Sequence, residues 1–385
     1  KLKAFAETAH TAEKIQKVPK KLTRPRGTMN LTLKDAARIA QCELAGDENL
    51  VLHELCALDD PKPDGLCYLT QLEKPEALAD LKAGCVILPI SAKGQELPYK
   101  GAVLYAQNPE WAFILLLKHI DSQRVKYTPG IHPSAVISPK ATLGANVTVG
   151  AHSVVEDGAV IGDNTVIYPQ CYIGQNVKIG KNCLIYPQVV IREDCILKDF
   201  VILQAGAKIG SDGFGFTFHE GRHQKIPQIG NVVIESDVEI QSNTCIDRAK
   251  ISSTTIGANT KIDNLVQIGH NVHVGMSSIM CAQVGVAGTT EIGNGVILAG
   301  QVGLAGHMKI GDRVQVGAQS GVISSIPAGQ TYFGYPAMPQ KEAFRQLAIM
   351  RKLPEMYTEF KKLKKQLAEA KNLSWFGKLK KWMGK

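Results

Sequence analysis

The sequence predicts a mainly β protein: a parallel β-helix of hexapeptide repeats, preceded by a small α/β domain and followed by C-terminal helices. The first observation behind this is a period of six. Ile, Val or Leu occupies every sixth position from Ile131 to Ile209, fourteen times without a miss. The phase resumes at Ile234, Ile240 and Ile246, shifts by four residues, and runs from Ile256 to Val322 with Met280 as its one non-aliphatic member. Such a period fits neither a helix nor ordinary strand alternation; it marks a solenoid in which each hexad supplies one short strand and a corner, with one side chain pointing into a triangular prism. Three hexads make a coil of 18 residues, so residues 18 apart stack about 4.8 Å apart along the axis.

The second observation is the mixed pattern before the repeats. LTLKDAARIAQCEL from Leu31 reads as an amphipathic helix with Thr32 as N-cap, a Gly-Asp turn leads to the strand-like Leu50 to Leu55, and VILPI and AVLYA follow as strands. Asn108-Pro109 opens a helical stretch from Glu110 to His119. The third is the helix-period stripe that begins at Phe344, Leu347, Ala348 and Ile349, which Pro354 should interrupt before Tyr357, Phe360, Leu363 and Leu367 continue it. Helices there would cap the open end of the prism. The expected segments are a basic extension at 1–28, an α/β domain at 29–128, the β-helix at 129–336 and a basic helical region at 337–385.

Within the repeats two interruptions stand out: a loop from Ser211 to Gln228 containing SDGFGF and HEGRHQKIP, and the four extra residues between Ile246 and Ile256. Insertions in a solenoid project from one face and often carry function.

Charge is placed unevenly. The net +9 divides into +15 at the two ends, 1–28 and 341–385, and −6 between them. This argues against a nucleic-acid groove along the β-helix and points to an acidic partner or an anionic surface at one end; solvated lysine-rich termini are the plain alternative. The last stretch, NLSWFGKLKKWMGK, sets Trp375, Phe376, Leu379, Trp382 and Met383 among lysines and reads either as a peripheral membrane contact or as a tail. No run approaches the roughly 18 uncharged apolar residues of a spanning helix. Nine cysteines without close CxxC pairs, with Cys171, Cys183 and Cys195 two residues before inward aliphatics, read as packed structural thiols and suggest the reducing cytoplasm.

Among ten histidines, His270 in DNLVQIGHNVHVG and His307 in LAGHMKIG each follow a glycine and lie two coils plus one residue apart. Gly288 and Gly306 follow His270 at steps of 18, forming a column without Cβ atoms against which a substrate can press. His270 is therefore a candidate general base and the Gly288 N–H a candidate oxyanion donor. The plain alternative makes His270 and His307 ordinary turn-face residues, and His273 reads as solvent-facing. Zinc would need histidines in a spacing that His270/His273 and His219/His223 do not provide, so no metal is expected. DGFG is too short for a dinucleotide fingerprint.

Taken together, IGSDGFGF, KIPQIG, NVVIESDVEIQSNTCIDRA, KIDNLVQIGHNV and GHMKIGD, behind a small α/β domain, resemble the UDP-3-O-acylglucosamine N-acyltransferases of lipid A biosynthesis over about residues 30–365. The resemblance implies a homotrimer of left-handed β-helices. It implies transfer of a 3-hydroxyacyl chain from the phosphopantetheine arm of acyl carrier protein to the 2-amine of the UDP-sugar, with no other cofactor. It places His270 on the catalytic base, Gly288 on the oxyanion donor, His307 on a second active-site histidine, and Asp263, Asn264 and Gln267 on substrate-binding positions. Carrier protein is acidic, so Arg345, Arg351 and Lys352 would offer it a docking surface. The family's uracil site, F-x-x-N-x-x-Y, aligns with Tyr68, Gln71 and Lys74; Lys74 departs from the pattern, supplying a charge where the family has a ring. Two other readings remain open from sequence: a relative acting on another nucleotide sugar, with coenzyme A as donor, and a β-helical scaffold without activity.

Overall fold

The computed structural model describes residues 28–123, 129–334 and 340–384. They fall into two compact units, within 1–128 and within 129–385. Apart from Thr28, the basic extension read over 1–28 lies outside the described residues.

In the first unit, strands β1 (Thr28–Thr32), β2 (Glu43–Ala45), β3 (Val51–Leu55), β4 (Gly65–Tyr68), β5 (Cys85–Pro89) and β6 (Ala102–Ala106) form one sheet in the order β1-β3-β4-β5-β6-β2. β3 to β6 run parallel, while β1 and β2 pair antiparallel at the edges. Helix α1 (Leu33–Ala40) starts where expected: Thr32 caps it by accepting the Asp35 N–H at 3.1 Å, and Leu33, Ala36, Ala37 and Ala40 face the core. Helix α2 (Pro109–Ser122) is capped by Asn108, which accepts the Trp111 N–H at 3.0 Å, and Pro109 occupies a first-turn position where no amide donor is needed.

The second unit is the prism. Two-residue strands recur every six residues and stack into three parallel sheets of 11, 10 and 9 strands. Register follows the 18-residue step: Val149 pairs with Ile167, Ile167 with Ile185, Ile185 with Leu203. The second residue of each strand is the periodic aliphatic and points inward, which is why Ile167, Ile173, Ile185 and Ile191 have no accessible surface. Corners demand a left-handed backbone, and the sequence answers with residues such as Asn146, Asn164, Asn176 and Asn182, all with φ between 55° and 57°. Cys171, Cys183 and Cys195 pack inside, where burial pushes each thiol up to about 11.

The two interruptions enlarge single coils without breaking the stack. The loop lets Ile196 pair with Val233. Four extra residues let Glu239 pair with Lys261 and Cys245 with Gln267. Inside the loop, Phe216–His219 and Arg222–Lys225 form an antiparallel hairpin. Its turn residues Glu220 and Gly221 both have positive φ, 52° and 75°, the signature of a two-residue type I′ connection.

Helix α3 (Gln340–Met383) corrects two expectations. Pro354 does not interrupt it, and the helix runs through the proline unbroken. Nor does it cap the prism: its large apolar side chains from Phe344 to Leu367 are all exposed. The missing N–H of Pro354 costs one hydrogen bond, and a helix of forty-four residues, most of them Lys, Leu, Glu, Gln, Ala, Arg and Met, runs past it. Among the described residues no helix is long and apolar enough to cross a membrane.

Candidate active site

The two enlarged coils and the coil after them meet at one cleft of about 640 Å³, lined by Asp212, Phe214, Phe216 and Lys225 of the loop, by Asp247, Gln267 and His270, and by Ala287 and Gly288. His270 follows the strand Gln267–Ile268 at a corner and is half-buried. It is clamped between two glycines. A Cβ on Gly213 would lie 2.5 Å from the His270 Cβ, and a Cβ on Gly288 would lie 2.7 Å from His270 Nε2. No other residue fits at either position without displacing the imidazole.

The neighbour Asn271 fixes the tautomer. Its Nδ2 donates to the Ile251 carbonyl at 3.0 Å and its Oδ1 accepts the Lys250 N–H at 2.9 Å, so the amide can be oriented only one way. His270 Nδ1 lies 3.2 Å from that same Oδ1 and must be the nitrogen that carries the proton. Nε2 is left with its lone pair beside Gly288, as a general base requires. The Gly288 N–H donates to no backbone acceptor among the described residues, whereas its carbonyl accepts the His307 N–H at 3.2 Å. A proton acceptor thus lies beside an amide donor with no backbone acceptor.

Other sequence-predicted residues are dispersed. His307 shares the left-handed corner conformation of Asn271 and Thr289, with φ 58°, 58° and 60°, so it stacks on the Asn271 column one residue out of step with His270. Its side chain is exposed and does not line the cleft. Asp263 and Asn264 bind each other, Asp263 Oδ1 accepting from the Asn264 amide group at 2.8 Å and from its N–H at 2.7 Å. They follow the strand of a different sheet, and Asp263 faces a separate groove with Cys281; of that polar run only Gln267 reaches the His270 cleft.

In the first unit, Tyr68 lines a second cleft of about 620 Å³ at the C-terminal ends of β3 and β4, with Leu58, Thr70, Phe113 and Leu117. Phe113 of α2 packs on Tyr68 with ring centroids 4.8 Å apart. Gln71 and Lys74 are exposed and do not line that cleft. The second ring beside Tyr68 comes from Phe113, more than forty residues along the chain, where no local motif points to it.

Sequence reasoning also missed the charge network that holds the loop. Arg248 is buried, donating to the Gly210 and Glu193 carbonyls at 2.8 and 2.9 Å and pairing with the Glu193 carboxylate at 2.9 Å. Arg192 binds Glu193 and lies 3.6 Å from Asp212, which also pairs with Lys225. The Lys225 contact holds the Asp212 carboxyl below the usual range. Gln228 is buried under the loop, its Nε2 donating to the Ile226 carbonyl while Oε1 has no partner. Cys281, Asp263 and their neighbours form no metal cluster: among the described residues, no group of three His, Cys, Asp or Glu is arranged to hold a metal.

Two hexapeptide family models match the repeats: bacterial transferase hexapeptide over residues 158–193 and the hexapeptide repeat of succinyl-transferase over 140–168. Among solved structures, an Arabidopsis UDP-N-acetylglucosamine acyltransferase is similar at 22% identity and a TM-score of 0.50, covering 59% of this chain and 82% of that one; this likeness concerns the fold alone. Curated relatives extend across both units. The UDP-3-O-acylglucosamine N-acyltransferase of Syntrophotalea carbinolica is 46% identical over 342 residues, 89% of this chain and 98% of that protein. The protein of the same name from Porphyromonas gingivalis is 42% identical over 345 residues, 90% and 98% of the two chains. With an α/β unit, a hexapeptide prism and relatives matched almost end to end, the chain belongs to the UDP-3-O-acylglucosamine N-acyltransferases.

Proposed function

We propose that the chain transfers a 3-hydroxyacyl group from acyl carrier protein to the 2-amine of UDP-3-O-acylglucosamine, with His270 as general base. The observation that carries the chemistry is the His270 Nε2 lone pair beside the Gly288 N–H. The amine attacks the thioester carbonyl, the C–N bond forms, and charge collects on oxygen, where the Gly288 N–H can donate to it. Nε2 takes a proton from the attacking nitrogen and returns it to the departing thiolate as the C–S bond breaks. The thioester brings its own activation, so this step calls for no further cofactor. Phe214 and Phe216, exposed at the cleft, offer apolar surface to an acyl chain. Tyr68 and Phe113 offer aromatic surface to a nucleobase.

Helix α3 suits three partners. Ile349, Leu353, Met356, Phe360, Leu363 and Leu367 alternate at spacings of four and three, the seam of a coiled coil, and in a homotrimer three copies would bury it. Arg345, Arg351 and Lys352 give the same helix a basic surface for acidic carrier protein. Exposed Trp375, Trp382 and Met383 among lysines suit an anionic lipid surface at its end.

The test is acyl transfer from 3-hydroxyacyl carrier protein to UDP-3-O-acylglucosamine, followed by mass spectrometry of the sugar. Wild-type protein should form the amide, and His270→Ala should lose at least about a hundredfold, the scale of a positioned general base. Absence of amide from folded wild-type protein sinks the assignment.

A further inference from the structure

We infer that Asp247 receives the substrate amine in its ammonium form and takes the first of its two departing protons, a role that rests on the amine-acylating function proposed above. The structural observation is a buried carboxylate with one free oxygen in the His270 cleft. Asp247 ends the strand Cys245–Asp247, lines the cleft and is 9% exposed. Its Oδ2 accepts from Gln267 Nε2 at 3.0 Å, while Oδ1 has no hydrogen-bond partner among the described residues.

A purely structural carboxylate is a poor explanation for this arrangement. Buried carboxylates normally satisfy their lone pairs with several donors or a paired cation, because desolvation is costly otherwise. The cations nearby are engaged elsewhere: Arg248 with Glu193, Arg192 with Glu193 and Asp212, and Lys225 with Asp212. An asparagine would satisfy Gln267 equally well without the charge. What an ionised Asp247 adds is a negative site on the cleft wall, next to the base, for a cation that the chain does not supply.

The reaction gives such a site a use. At neutral pH a sugar amine is largely ammonium and has no lone pair with which to attack. Two protons must leave nitrogen, and the thiolate takes only one. In a balanced sequence the ammonium gives a proton to the Asp247 carboxylate, and the neutral amine forms the C–N bond at the thioester carbonyl. His270 Nε2 takes the second proton and delivers it to sulfur as the C–S bond breaks. Asp247 then releases its proton to water, one per turnover.

Burial pushes the Asp247 carboxyl up to about 6, with the Gln267 hydrogen bond and His270 opposing and Asp212 adding to the rise. A carboxyl in that range can accept and release a proton at neutral pH. The other titratable groups about it are Cys245 on its own strand, Arg248 beside it, and Asp212 and Lys225 from the loop.

The experiment compares wild type with Asp247→Asn. It measures kcat/KM for the amine sugar from pH 6 to 9, and the affinity of each protein for the amine sugar and for its N-acylated product. The variant should lose at least tenfold in kcat/KM near pH 6.5, and the gap should narrow as rising pH frees the amine in solution. It should bind the amine sugar about tenfold more weakly and the uncharged product as before. A loss equal at every pH, or equal weakening of both ligands, overturns the inference and leaves Asp247 a structural residue. Should Asp247→Asn fail to fold, His270→Ala protein, which lacks the competing imidazole, takes its place. There the amine sugar should lose affinity on acidification through pH 6 while the product does not, and parallel behaviour of the two overturns the inference. Wild-type protein that forms no amide at any pH fails the functional reading itself, and the inference with it.

Discussion

Because Asp247 keeps its proton up to about pH 6 in the fold, against an ordinary value of 3.8, the folded chain binds more protons than the open chain between those limits. Stability therefore falls as pH rises through that window, and the loss is complete above it. The rise from 3.8 to about 6 is worth about 2–3 kcal/mol, since one pH unit corresponds to roughly 1.4 kcal/mol. Asp247→Asn has no proton to lose there, so its stability relative to wild type should improve by about 2 kcal/mol between pH 4 and pH 7.5. Urea unfolding of both proteins at the two pH values measures this, and a constant difference contradicts it. The residues of the cleft and their neighbours differ in legibility. His270 and Gly288 were legible because the six-residue period turns chain distance into position, and 18 residues is one coil. Asp247 sits in a coil lengthened by four residues, where the same arithmetic fails, and it shares its cleft with loop residues more than twenty positions back along the chain. Asn271 stood next to His270 in plain sight, yet its role in fixing the tautomer depends on backbone partners at 250 and 251 that only the enlarged coil brings near.

At the scale of elements, each two-residue strand is too short to hold itself, and its inward side chain is bound up with coils above and below. Ile185 is flanked by Ile167 and Leu203 in its sheet and has no accessible surface. Truncation to Ala leaves a cavity that stiff neighbouring coils close poorly, at a cost of about 2–5 kcal/mol. Ile279 occupies the outward position of a strand and is 44% exposed, so Ile279→Ala should cost under about 1 kcal/mol in one chain. A lower melting temperature for Ile185→Ala than for Ile279→Ala checks the inward assignment directly; equal losses would place both outside the core or bury both. The same alternation explains why the prism was readable in advance and the helix boundaries less so. A period repeated over dozens of hexads averages out local exceptions, whereas a single proline in α3 gives a local signal that forty other residues override. The Tyr68–Phe113 pair was out of reach for a related reason: the two rings meet through sheet and helix packing, beyond any short motif.

For the whole molecule, the bare seam of α3 is the strongest structural argument for assembly. Leu353, Met356, Phe360, Leu363 and Leu367 are each 50–62% exposed in one chain. Burying an aliphatic or aromatic side chain of this kind contributes about 1.5–3 kcal/mol, so five per helix supply a large driving force even after the entropy of association is deducted. Identical copies meet the seam with the same pattern, and Pro354, one position after Leu353, falls outside that spacing, at a site where a helix partner is not needed. Replacing Leu353 and Phe360 together with Glu should therefore weaken the oligomer, shifting sedimentation at micromolar concentration toward smaller species. Pro354→Ala should leave the distribution unchanged. Activity should fall with the seam variant only so far as the site needs a neighbouring copy, which separates assembly from chemistry in a single pair of measurements. Wild-type protein that sediments as a monomer at these concentrations removes the trimer from the proposal.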